Sequence, residues 1–205
     1  LKSLWTSFAA NGLDGPHGME AFFVRDIIAL VPDLAASSIR WLGFVEPPPR
    51  NMDVFADPHA VWVQLIQEQA ASSSSIVRRE LASALQRLPQ DQRKDLATAL
   101  LKHGEDAEDP MIPLLIWYGI EPVVAADAAV GLQLAKVSKM PKVTEFIYRR
   151  LAGEEAGIQG LLKLATESKD AALRQNLLTA VVQAARGGSK VSAPSNWTQM
   201  RESFV

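Results

Sequence analysis

Apolar residues recur along this chain with the period of an α-helix. In "IVRRELASALQRL", residues 76 to 88, Val77, Leu81, Ala84, Leu85 and Leu88 stand at offsets of 0, 4, 7, 8 and 11 and line one face. That face must be buried, while Arg78, Arg79, Glu80, Gln86 and Arg87 take the other faces. Pro89 stops the helix. The next segment, "DQRKDLATALLKHG", repeats the spacing with Leu96, Leu100 and Leu101 and is expected to end on Gly104 as a C-terminal cap. The two segments predict an antiparallel helical pair.

Similar units recur on both sides. "DPHAVWVQLIQEQA" at 57 to 70 opens with Asp57 as cap and Pro58 in the first turn. "PDLAASSIRWLGF" at 32 to 44 carries Ile39, Leu42 and Gly43. "PKVTEFIYRRLA" at 141 to 152 places Val143, Phe146, Ile147 and Leu151 on one side, between Pro141 and Gly153. "DAALRQNLLTAVVQAARGG" has Asp170 as cap and Leu173, Leu177 and Val181 as its stripe. In "DPMIPLLIWYGIEPVV", residues 109 to 124, Asp109 caps, Pro110 enters the first turn, and a helix from Met111 to Ile120 is ended by Glu121 and Pro122. Its apolar bulk predicts an innermost helix packed on both neighbouring repeats.

Unit starts near Asp33, Ser75, Asp109, Pro141 and Asp170 are separated by roughly 30 to 40 residues, the period of stacked helix pairs. Alternation with period 2 is scarce. The expected fold is therefore all-α, a HEAT/armadillo-like α-solenoid of about five irregular helix pairs filling residues 1–205 as one repeat domain. The segments "NGLDGPHG", "VEPPPRNMD", "ASSSS" and "GGSKVSAPSNW" are read as connectors, the last leading to a short final helix.

Composition sharpens what this surface can do. Hydrophobic residues are 48% and charged residues 21% of 205, so a packed core is expected. Twenty-one basic against 23 acidic residues leave a formal net charge of -2, without the basic excess that a phosphate backbone demands, and no nucleic-acid partner is expected. With no cysteine there is no disulfide, thiolate metal site, thiol nucleophile or C-x-x-C-H haem attachment. No apolar run reaches the roughly 18 to 20 residues of a membrane span, and no secretory n-region and h-region open the chain. Starting at Leu1 rather than Met, it reads as an excised segment of a longer protein.

The phrases "VRRELASALQRLP", "DAEDPMIPLLIWYGIEPVV" and "SKMPKVTEFIYRRLA", in that order between about Ser75 and Ala152, resemble the HEAT-repeat section of large PVC-type haem-binding proteins. "DAALRQNLLTAVVQAARG" and "NWTQM" are weaker echoes. The resemblance implies a soluble, redox-associated parent, periplasmic or otherwise exported, in which a dehydrogenase-like β-propeller precedes the helical repeats and a c-type cytochrome domain follows them. What carries over to this segment is Trp117, Tyr118, Glu121, Pro122, Arg149 and Arg150, with no catalytic role assigned to any of them.

No cofactor or metal is assigned to the segment. His103, Glu105, Asp106, Glu108 and Asp109 are ligand types, but their spacing matches neither an EF-hand nor H-E-x-x-H, and the stretch reads as a solvated turn with a capping Asp. His17 and His59 stand in separate contexts. Neither G-x-S-x-G nor a glycine-rich phosphate loop is present. Trp41, Trp62 and Trp117 are read as core.

Two readings of the arginines stay open. Arg78, Arg79, Arg149 and Arg150 can form a charged wall, with Tyr118 and Glu121 as its polar and aromatic features. Alternatively they are a solvated face with Glu80 or Glu145 as partners. The expected function is accordingly a non-catalytic scaffold that docks or spaces partner proteins or flanking domains of the same chain. One alternative is a HEAT-like nucleic-acid enzyme such as a DNA glycosylase, and another is one wall of a dehydrogenase or haem interface in the parent.

Overall fold

A computed structural model describes residues 69–187 continuously, together with residues 36, 37, 39, 40, 66, 198 and 201. The expected helix start at Asp57, Leu42, Gly43, Trp41, Trp62, His17, His59 and the connectors at 11 to 18 and 45 to 53 lie outside the described residues, while Thr198 and Arg201, where the final short helix is expected, are helical. Of the earlier copies, Ala36, Ile39 and Ile66 are helical and buried. The chain divides into two compact units, Leu1–Leu81 and Ala82–Val205, with the division inside the first continuous helix.

Among the described residues the structure is all-helical. Helix α1 spans Ser75–Ala84 and tightens into a 3-10 turn at Leu85–Arg87; α2 spans Gln90–Leu100. After a 3-10 turn at Gly104–Asp106 come α3 (Ile112–Ala126), α4 (Ala128–Val137), α5 (Pro141–Leu151), α6 (Glu155–Glu167) and α7 (Ala171–Arg186). The stripe read from 76 to 88 is buried throughout: Val77, Leu81, Ala84, Leu85 and Leu88 are at most 2% exposed. Gly104 does not cap α2, whose C-cap is Leu101; it begins the following turn, against Lys139.

Helix α3 runs further than its sequence suggests. Asp109 caps it from outside, its Oδ1 accepting the amides of Met111 and Ile112 at 2.8 Å each, but Pro122 lies inside and the helix continues to Ala126. The proline removes the amide that would reach the Tyr118 carbonyl. Burial offsets that loss, because Val123 and Val124 extend the stripe of Ile112, Ile116 and Ile120 by another turn. Each such side chain taken fully out of water contributes about 1.5–3 kcal/mol. Helix α3 packs on the Leu85–Arg87 turn, α2, α4 and α5, which accounts for the apolar bulk.

Asp127 closes α3 and opens α4. Its amide donates to the Val123 carbonyl at 3.0 Å, while its carboxylate accepts from Ala129 and Val130 at 2.8 and 3.1 Å. Asp170 caps α7 in the same way, through Ala172 and Leu173. Helix α6 comes so close to the end of α5 that a methyl group on Gly157 would overlap the Leu151 carbonyl. Within the unit Ala82–Val205, the substantial contacts join elements adjacent or next-but-one in chain order, such as α3 with α5, α4 with α6 and α5 with α7. No described helix is long and apolar enough to cross a membrane.

Candidate docking surface

The surface residues singled out from sequence fall into three environments. Arg78 is only 2% exposed and donates from Nη1 to the Ser72 carbonyl at 2.8 Å, so its charge braces the turn before α1 and is not presented to solvent. Arg79 is exposed, in the unit Leu1–Leu81. Tyr118, Glu121, Arg149 and Arg150 belong to α3 and α5 of the other unit.

Within that second group the helices are held in register by two side-chain pairs. Trp117 of α3 stacks obliquely on Phe146 of α5, with centroids 5.6 Å apart and planes at 44°. One turn on, Arg150 Nε donates to Glu121 Oε1 at 2.8 Å and its Nη1 reaches Glu154 Oε1 at 2.9 Å. The hydrogen bond to Glu121, then that to Glu154, raises the Arg150 pKa, although the guanidinium remains partly solvated. Tyr118 stays 57% exposed beside this pair, and Arg149 points to solvent without an ion-pair partner among the described residues. The arrangement offers one aromatic ring and one unspent cation on two helices joined by these pairs.

The partners expected for the arginines differ from those found. Glu80 is 6% exposed and is taken by Arg40, whose Nε donates to its Oε2 at 3.0 Å and whose Nη2 reaches its Oε1. That bond raises the Arg40 pKa. Glu145 pairs with none of them. In the 102 to 110 stretch, His103 Nδ1 is 2.7 Å from Glu105 Oε1, Asp106 is buried and Asp109 serves α3. Among the described residues no three His, Asp or Glu side chains converge as a metal site would require.

Two residues matter here that periodicity alone does not single out. Arg93, in the opening turns of α2, donates to the Leu88 carbonyl at 2.7 Å, the Gly119 carbonyl at 2.9 Å and the Gln86 carbonyl at 3.1 Å. It thereby ties the end of the first helix to the middle of α3, and burial lowers its pKa. A signal was available, since a cation near a helix N-terminus opposes the dipole and calls for a compensating acceptor. Tyr148 of α5 is 6% exposed and burial raises its phenol pKa. It lines a groove of about 640 Å³ whose walls include Lys142 and Arg149 of α5 and Asn176 and Gln183 of α7. Neither a protein-family model, nor a curated protein, nor a solved structure matches the chain.

Proposed function

We propose that this chain is a non-catalytic helical-repeat scaffold, an α-solenoid of HEAT/armadillo type that docks another protein or a flanking domain on the surface formed by α3 and α5. The observation that carries this reading is the contact pattern: helices pack on their immediate and next-but-one neighbours in two rows, α3, α5 and α7 in one and α2, α4 and α6 in the other. Stacking of that kind buries each stripe locally and leaves the outer side of a row available as a wall. Tyr118, Arg149 and the Glu121–Arg150 pair are the features such a wall would use. Tyrosine and arginine are the residue types enriched at the energetic centre of protein interfaces.

The reading extends to the parent chain. The phrases that resemble PVC-type haem-binding proteins coincide with α1, α3 and α5, and in such a parent this segment would space a propeller from a cytochrome domain outside the cytoplasm. Flanking sequence tests that part: strand-rich repeats upstream and C-x-x-C-H downstream support it, and their absence refutes it. The docking role is tested with a photo-crosslinking amino acid placed in living cells at position 118, at 149, or at the exposed Lys163 of α6. Discrete adducts at 118 and 149 but not at 163 are expected. Equal labelling at all three, or none, contradicts it.

A further inference from the structure

We propose that the groove between α5 and α7 receives a short extended segment of a partner protein that carries carboxylates. This rests on the docking role above and names what docks.

The floor of the groove supplies the first argument. Tyr148 is 6% exposed, lines the groove, and its side chain has no hydrogen-bond partner among the described residues. The ring is buried but the hydroxyl is not among the buried, unpartnered side-chain atoms, so it opens into the groove, where an acceptor on a ligand can take the place of water. As a neutral phenol it donates to an acceptor.

The walls supply the second. Asn176 and Gln183, seven residues apart on α7, present primary amides that both donate and accept, which suits the alternating N–H and C=O of an extended backbone. Lys139, Lys142 and Arg149 face Glu108 and Glu145, and none of these five is ion-paired among the described residues. Three cations to two carboxylates leave a positive balance. It is strengthened at one end by the start of α5, where Met140 provides no side-chain cap and, Pro141 having no N–H, the amides of Lys142 and Val143 remain donors. Donors thus predominate, and the complementary occupant is rich in acceptors.

Size sets the length. The groove holds about 640 Å³, within the range of sites that enclose small ligands. From Lys142 to Arg149 the helix advances roughly 10 Å, the reach of about three or four extended residues. Folded domains are too large to enter, whereas a linear segment fits.

The test pans a phage-displayed library of random dodecapeptides on the intact protein, then measures enriched peptides, labelled with fluorescein, by anisotropy. Enriched sequences are expected to carry Asp or Glu and to bind more weakly at high salt. Affinity should fall at least about tenfold in Arg149→Glu and about threefold in Tyr148→Phe, the effects of reversing a contacting charge and of deleting one hydrogen bond. Both variants are to be checked for an unchanged circular dichroism spectrum. Enrichment of peptides without carboxylates, binding indifferent to both substitutions, or no enrichment overturns the proposal. Adducts at 118 and 149 but not at 163 in cells, alongside any of those outcomes, would leave the docking role standing and remove this inference alone.

Discussion

Arg93 offers the clearest way to perturb the fold without touching the core. Its guanidinium gathers the carbonyls of Gln86, Leu88 and Gly119, two of them at the end of a helical segment that stops before Pro89 and so without the usual intrahelical donors. A hydrogen bond from a charged donor contributes about 1.5–3 kcal/mol net. The bonds to Leu88 and Gly119 are partly buried and the one to Gln86 is exposed, so two bonds dominate. Against them stand the desolvation that lowers the Arg93 pKa and its position against the α2 dipole, the latter about 0.3–1 kcal/mol. The balance for Arg93→Ala is a loss of about 3 kcal/mol, or roughly 6–12 °C in Tm for a chain of this size. Arg93→Lys should recover less than half, because an ammonium cannot span three separated carbonyls in one plane. Urea denaturation followed at 222 nm measures both. A loss below about 0.5 kcal/mol, the range of an ordinary surface substitution, or full recovery by lysine would refute the reasoning.

Three further outcomes follow from packing and titration. Gly157→Ala should cost about 3 kcal/mol or more, since the added methyl meets the Leu151 backbone and α6 must lift from α5, while Gly187→Ala, which meets only ordinary contacts, should stay close to wild type in Tm. Ile116→Ala should cost about 2–5 kcal/mol and Met111→Ala, half exposed, less than about 0.5, by the same urea titration. Tyr148 is protonated more tightly in the folded than in the unfolded chain, so its contribution is whole below the ordinary phenol pKa of about 10 and is lost as pH rises through the elevated folded value. The urea midpoint should therefore fall more between pH 9 and pH 11 in the wild type than in Tyr148→Phe; equal slopes would contradict it.

The helices that carry α1, α5 and α7 were legible because an apolar stripe lies between punctuation of known chemistry: a Ser-rich turn before α1, Pro141 before α5, Asp170 before α7. Helices α4 and α6 were not read, for the opposite reason. Gly131 interrupts α4, packed tightly on Val124 and Leu151, and Gly157 and Gly160 interrupt α6, the first against the Leu151 backbone with no room for a side chain and the second against the tip of Leu132. Local propensity counts those glycines as breaks, and only tertiary contact explains them. Pro122 misled in the same way, because the burial of Val123 and Val124 outweighs one lost backbone bond. The stripe rule also assigned Arg78 and Glu80 to solvent. Periodicity ranks faces by apolar content and cannot see that Ser72 and Arg40 supply partners for buried charge. Of the surface, the residues on α3 and α5 were within reach of sequence, whereas the α5–α7 groove depends on two segments about 30 residues apart.

In a stacked arrangement each helix draws its stability from near neighbours in the chain. Hydrogen exchange on Leu177→Ala, which hollows a fully buried site on α7, tests this most directly. Protection should fall in α7 and in α5 and α6, which contact it, and remain at the wild-type level in α2 and the Leu85–Arg87 turn. A uniform loss of protection from α2 through α7 would instead mean one closed cooperative core, and would contradict the stacked arrangement on which the docking role rests.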